Sequence, residues 1–187
     1  HERDIPRSRF EHTIFKNYHQ PNQLTGISIP YPDGRFMFKE EMGQDWELAG
    51  DSIYQILGHP CRKATARFHG RIWTAFYATD IPIADGPWKL CGLPGLILYA
   101  RDADKNYIFK CIAIKPHIGE PITINKENTI TVTPQRLEKI LLEYHSNPIA
   151  ALKARAGGDI MLRDAKGRQI SQPTFEPVLM DHYEKDL

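Results

Sequence analysis

The sequence is poor in cysteine: it has three, at positions 61, 91 and 111. An odd number leaves at least one thiol unpaired within the chain. Their spacings of 30 and 20 residues include no Cys-x-x-Cys pair. That excludes the common zinc frameworks and leaves small buried side chains as the first reading. A Cys61–Cys91 disulfide stays open in an oxidising compartment, since geometry decides it and spacing does not show geometry. Charge of one sign is lacking too. Lysine and arginine total 24 against 23 acids, a net charge of +1. There is thus no overall electrostatic case for nucleic acid or an anionic membrane. No apolar run approaches the roughly 20 residues that span a bilayer; the longest, around residues 93–100, is interrupted by Pro94 and Gly95. Internal repeats, low-complexity stretches and a basic-then-apolar leader are all missing, and the first residue is His1, as expected of a processed, trimmed or excerpted chain.

Signatures of catalysis are missing as well. There is no Gly-x-Ser-x-Gly elbow and no Gly-x-x-x-x-Gly-Lys-Ser/Thr phosphate loop. The eight histidines form no His-x-His, His-x-x-His or His-Glu-x-x-His set, so scattered surface or turn roles are expected. Asp102, Asp104 and Asn106 have the acid spacing that opens a calcium loop, but Tyr107 and Ala113 stand where such a loop needs glycine and glutamate. Those residues read as a hairpin turn. His59 and Cys61 share a strand face and could pair as base and thiolate, although Pro60 lies between them; a buried structural cysteine is the better reading. Arg62, Lys63, Arg67 and Arg71 surround an aromatic hairpin, a pattern that edge protection explains as well as nucleic-acid binding does. No catalytic residue, metal, cofactor or nucleic-acid partner is expected, and an enzyme is the less favoured class.

What is present is an ordinary globular composition, 41% hydrophobic and 25% charged over 187 residues. One domain covering residues 1–187 is expected, with residues 1–12 as a loose N-terminal arm or an edge element. Residues 13–34 are rich in proline, asparagine and glycine and read as turns. Residues 35–39, 46–48 and 52–57 read as short strands. Residues 62–68 alternate, with Ala64, Ala66 and Phe68 on one face. His69–Gly70 supplies a turn, and residues 71–79 return with Trp73, Ala75 and Tyr77 together. Residues 96–100 and 107–114 form another pair about a turn, and residues 122–125 and 129–132 a shorter one. Thr133 is a good N-cap and Pro134 a good first helical residue; Leu137, Ile140, Leu141 and Tyr144 then make one apolar stripe. Pro148 starts a second short helix, and residues 160–163 and 168–170 flank a last turn. The sum is a β-rich antiparallel α+β protein: a curved sheet or half-barrel with one or two helices in the C-terminal third.

Residues 85–98, DGPWKLCGLPGLIL, are the most unusual stretch. Asp85, Gly86 and Pro87 are turn chemistry, and Gly92, Pro94 and Gly95 punctuate an apolar run. Gly95 suits a positive φ or a close backbone approach. The segment reads first as a buried loop that locks the sheet. As the alternative it forms the wall of a binding cleft, with Trp88, Lys89, Cys91, Leu93 and Pro94 as the candidate contact residues.

The segment Gly92-Leu93-Pro94-Gly95-Leu96-Ile97 resembles the signature of the GLPGLI family of Gram-negative bacteria. The resemblance extends, in order and spacing, through Trp46-Glu47-Leu48, Ile56-Leu57-Gly58-His59-Pro60-Cys61, Phe68-His69-Gly70-Arg71, Asp80-Ile81-Pro82-Ile83 and Gly86-Pro87-Trp88-Lys89. Tyr144-His145-Ser146-Asn147-Pro148 is similar too. Two positions depart from the pattern: His59 stands where an aromatic residue is common, and Phe76 where tryptophan is common. The resemblance implies a secreted protein, periplasmic or attached to the outer membrane. It carries over no catalytic residues, since the family has no assigned activity. The leading expectation is a non-enzymatic binding or scaffold protein of the cell envelope, whose partner is an envelope protein or a lipid or peptide ligand. A hydrolase with a loop-assembled site and an accessory subunit of an outer-membrane uptake complex are the alternatives.

Overall fold

The computed structural model describes residues 12–29, 34–115, 119, 121–146, 150 and 166–169. Nine strands and one helix occur among them. They are β1 (His12–Lys16), β2 (Gln23–Ser28), β3 (Arg35–Glu41), β4 (Glu47–Ile56), β5 (His59–Phe68), β6 (Arg71–Ala78), β7 (Ile97–Asp102), β8 (Ile108–Lys110), β9 (Thr129–Thr131) and α1 (Pro134–Ser146). The β-rich α+β expectation holds. The strands are apportioned to two sheets, in the orders β1-β2-β3-β9 and β4-β5-β6-β7-β8, and no closed barrel forms among the described residues. Every pairing is antiparallel except β3 with β9.

The β5–β6 hairpin is the frame of the larger sheet. Alternation puts Ala64, Trp73, Ala75 and Tyr77 on one face, all at most 2% exposed. Ala64 and Ala75 lie directly opposite each other, and Ala100 of β7 follows Ala75 in the same row. Three small side chains in a row leave room for something thick above them, and residues 85–98 fill it. Trp88, Leu90, Leu93 and Ile97 pack with Trp73 and Tyr77 into one cluster. The expected pair of strands at 46–48 and 52–57 is a single strand, β4, whose register slips between Ala49 and Tyr54, where Gly50 has φ +57°.

The smaller sheet holds the clearest departure from expectation. Residues 12–16 and 23–28 are strands, not turns. The ring of Phe38 on β3 lies where a Cβ at Gly26 would stand. The aromatic ring covers the bare glycine, so the strand loses no packing there. Residues 122–125 form no strand, and β9 pairs with β3 instead.

Helix α1 begins as its sequence dictates. The Thr133 hydroxyl accepts the Arg136 N–H at 3.2 Å. Leu137 and Leu141 bury against Leu24 and Phe38 of the smaller sheet, with Leu142 and Val132 alongside. Ile14 touches this cluster and the larger sheet's cluster, so β1 joins the two halves of the core. The second helix expected after Pro148 and the last turn pair lie outside the described residues, apart from Ala150 and residues 166–169. So does the N-terminal arm, except that its last residue, His12, opens β1.

Candidate functional site: the motif loop and the cleft beside it

Residues 85–98 are held by side chains that reach across from the smaller sheet and the chain leading out of it. Lys16 of β1 donates to the Asp85 carboxylate at 2.6 Å and to the carbonyls of Gly86 at 2.7 Å and Leu90 at 2.9 Å. Three acceptors satisfy one ammonium, which is only 10% exposed. Gln44 brackets the next turn: its Nε2 donates to the Lys89 carbonyl at 3.2 Å and its Oε1 accepts the Cys91 N–H at 2.9 Å. The Trp46 indole N–H donates to the Cys91 carbonyl at 2.7 Å. An irregular loop can be buried only if its backbone groups find such partners.

Lys89 is the least expected residue in this core. Its side chain is fully buried and its Nζ donates to Glu40 Oε2 at 3.0 Å. The same ammonium lies 4.8 Å from the centre of the Phe38 ring and 5.5 Å from that of Trp88. The other carboxylate oxygen of Glu40 is 3.3 Å from His69 Nε2 at the β5–β6 turn. One carboxylate therefore ties β3 to the motif loop and to the hairpin. Trp88 completes the knot, packed beside Trp73, Phe68 and His69 with ring centres 5.4–5.9 Å apart. It holds a left-handed φ of 53°, which a bulky side chain adopts only when its surroundings enforce it.

Two glycines have separate reasons. A Cβ on Gly95 would stand 1.9 Å from the Ala78 carbonyl oxygen, so this glycine serves close approach and not positive φ. Gly92 is the reverse case, with φ +87° and open space around it.

Among the five candidate contact residues, Trp88 borders the open cleft. Lys89, Cys91 and Leu93 are buried in the core, and Pro94 is exposed elsewhere. Their arrangement is that of a locking loop. The three cysteines are free thiols, so the Cys61–Cys91 bridge that the spacing allowed is not formed. Cys61 packs with Ala78 and Leu98, while Cys91 sits in the motif loop under Gln44 and Trp46. Burial pushes the Cys61 thiol pKa up, and the Asp80 charge adds to that; a backbone hydrogen bond from Ile56 opposes it. Burial raises Cys91 as well, against the lowering effect of Lys16. His59 does pair with Asp80, at 2.9 Å, but Cys61 directs its thiol to the His59 carbonyl. A fully buried thiol with a raised pKa is no nucleophile. Asp102, first of the calcium-like acids, is committed inside the fold. It meets Arg71 at 2.8 Å and accepts the Tyr107 N–H at 2.9 Å, closing the β7–β8 turn. No group of three potential metal ligands occurs among the described residues.

The cleft has a volume of about 800 Å³. Residues 12–19 form one wall, Asp85, Gly86 and Trp88 the other, and Phe109 and Ile122 also line it. Among the described residues, strand β1 is the edge of its sheet. Asn17 donates to Gln23 in the β1–β2 ladder, which fixes the parity of that ladder. Thr13 and Phe15 then face β2, and the backbone N–H and C=O of Ile14 and Lys16 point to the open edge. In the sequence the proline, asparagine and glycine of residues 13–34 mask most of this edge, and only His12 belongs to the stretch that reads as an arm or an edge element.

The family model described as "Protein of unknown function (Porph_ging)" matches residues 69–99, from the turn of the central hairpin through the motif loop. No curated protein matches the chain. Two solved structures of PNGF-II, in C2 and P21 space groups, are similar at 13% and 14% identity with TM-scores of 0.46 and 0.43. Each similarity covers 64% of this chain but only 23% and 22% of PNGF-II. This chain thus spans less than a quarter of that protein, and so distant a likeness carries no argument about function. No described helix is long and apolar enough to cross a membrane.

Proposed function

We propose that this is an extracytoplasmic binding protein of the cell envelope, of the GLPGLI kind, and that it takes an extended peptide segment along the free edge of β1. The observation that carries the reading is the cleft, in which a strand edge with no partner among the described residues lies opposite apolar side chains. An added strand would hydrogen-bond to the outward groups of Ile14 and Lys16, and alternate side chains would meet Trp88, Phe109 and Ile122. Residues 13–16 of β1 present about 13 Å of edge, enough for a short peptide. A lipid carrier with an open apolar interior is less well supported, since Trp73, Trp88, Leu90 and Leu93 fill the space over the larger sheet. The periplasmic or outer-membrane location rests on the motif resemblance.

The test is selection of heptapeptides from a displayed random library, followed by amide exchange on the complex. Bound peptide should slow exchange at Ile14 and Lys16. Ile122, which is 70% exposed, can be changed without touching the core. Ile122→Asp should weaken binding about tenfold or more, from the apolar area lost. Peptides that protect other strands, or a library that yields no binder, would overturn the proposal.

A further inference from the structure

The side of the larger sheet away from the motif loop has a composition of its own. Side chains directly opposite each other on paired strands share a face. The register therefore sets out one row running Lys63, Phe76, Tyr99, Lys110 across β5 to β8. The neighbouring row runs Glu47, Thr65, Thr74, Arg101, Ile108 across β4 to β8. Arg67 opposite Ile72 ends the face. Four cations and one acid, on the edge strand, occupy these positions in a chain whose net charge is only +1. The inner side treats its cations differently: Lys16, Arg71 and Lys89 each meet a carboxylate within 3.0 Å. Lys63, Arg67, Arg101 and Lys110 meet none among the described residues. Between these cations lie large apolar groups that remain in water, with Ile72 48% and Ile108 53% exposed. Tyr54, 41% exposed, adds its ring beside Phe76.

We propose that this face docks the protein on an anionic lipid bilayer. Unpaired lysine and arginine around exposed apolar side chains suit the headgroup region. There the stems and isoleucines leave water while the charges meet lipid phosphates. Single-stranded nucleic acid would also attract the cations, but it needs ring faces for stacking. Here the rings pack against one another edge to face, at 85° for Tyr54–Phe76 and 72° for Phe76–Tyr99, and the most exposed apolar groups are isoleucines. The balanced total charge hid this sidedness, since the residues that make the face come from five strands.

Vesicle flotation with the full chain tests the proposal. Vesicles of phosphatidylcholine alone are compared with vesicles one-third phosphatidylglycerol, at low and high salt. The protein should float only with the anionic vesicles, and less as salt rises. Lys63→Gln with Lys110→Gln should lower partitioning about twenty-five-fold, at about fivefold per charge. Ile72→Ser should lower it further, while Lys126→Gln, off this face, should leave it unchanged. All four positions are solvent-facing, and a thermal melt of each variant confirms that it is folded. No flotation, or an equal effect from Lys126→Gln, would overturn the proposal. So would tighter binding of a single-stranded oligonucleotide with the same dependence on Lys63 and Lys110.

Discussion

Gly95→Ala isolates the physical claim on which the motif loop rests. The new methyl would stand 1.9 Å from the Ala78 carbonyl oxygen, where ordinary contact begins at 3.4 Å. Backbone must move by about 1.5 Å, and both partners are pinned. Ala78 donates its N–H to the Leu96 carbonyl at 2.8 Å, and Leu96 donates to the Ile81 carbonyl, just past β6, at 3.1 Å. Parting β6 from the loop weakens both bonds, about 1 kcal/mol each. Overpacking of the adjoining core adds about 1–3 kcal/mol. The expected loss is about 3–5 kcal/mol, a large share of the 5–15 kcal/mol that typically holds a domain. Gly92→Ala provides the contrast. It meets open space, and its left-handed φ costs only about 1–2 kcal/mol. Urea unfolding of the two variants, followed by tryptophan fluorescence, measures both. A Gly95→Ala protein within 1 kcal/mol of the parent, or less damaged than Gly92→Ala, would refute the close-approach argument.

Lys16→Met removes the ammonium shared by Asp85, Gly86 and Leu90 while keeping the stem. It should destabilise by about 2–3 kcal/mol in the same urea assay, the range for charge-assisted hydrogen bonds. Lys89→Met should be more severe, about 3–5 kcal/mol, because it strips a buried carboxylate of its cation; unfolding midpoints unchanged from the parent would refute that. Thiol titration at neutral pH should find one fast group, Cys111, and two, Cys61 and Cys91, that react only on unfolding. Loss of two thiols together in the native protein would show a bridge that the structure lacks. Both buried thiols have pKa values raised above 9.0 by burial, so the folded state holds their protons longer than the unfolded state does. Their contribution is intact below that pH and is lost as pH rises past it. Stability should therefore decline in alkali, and Cys61→Ala should flatten the decline.

Several local features were legible because their causes are local. The β5–β6 hairpin follows from alternation around His69–Gly70, and α1 from a cap, a proline and an apolar stripe. Residues 85–98 could be picked out as a buried loop because their glycines and prolines forbid a regular element while their leucines demand burial. Strands β1 and β2 were hidden for the opposite reason. Glycine is a poor strand residue by itself, and only the Phe38 ring from another strand makes Gly26 fit.

The sequence by itself determined the β-rich composition, the hairpin, the capped helix and the identity of the motif. Each depends on residues within a few positions of one another. Tertiary structure decided which face of each element is used. Lys16 meets Asp85 across 69 residues and Lys89 meets Glu40 across 49, separations at which no periodicity speaks. Those pairs make the motif loop a lock, and the open edge of β1 beside it becomes the cleft. The cations on the outer face, unpaired among the described residues, are a property of strand register, which gathers side chains that the linear sequence scatters and balances.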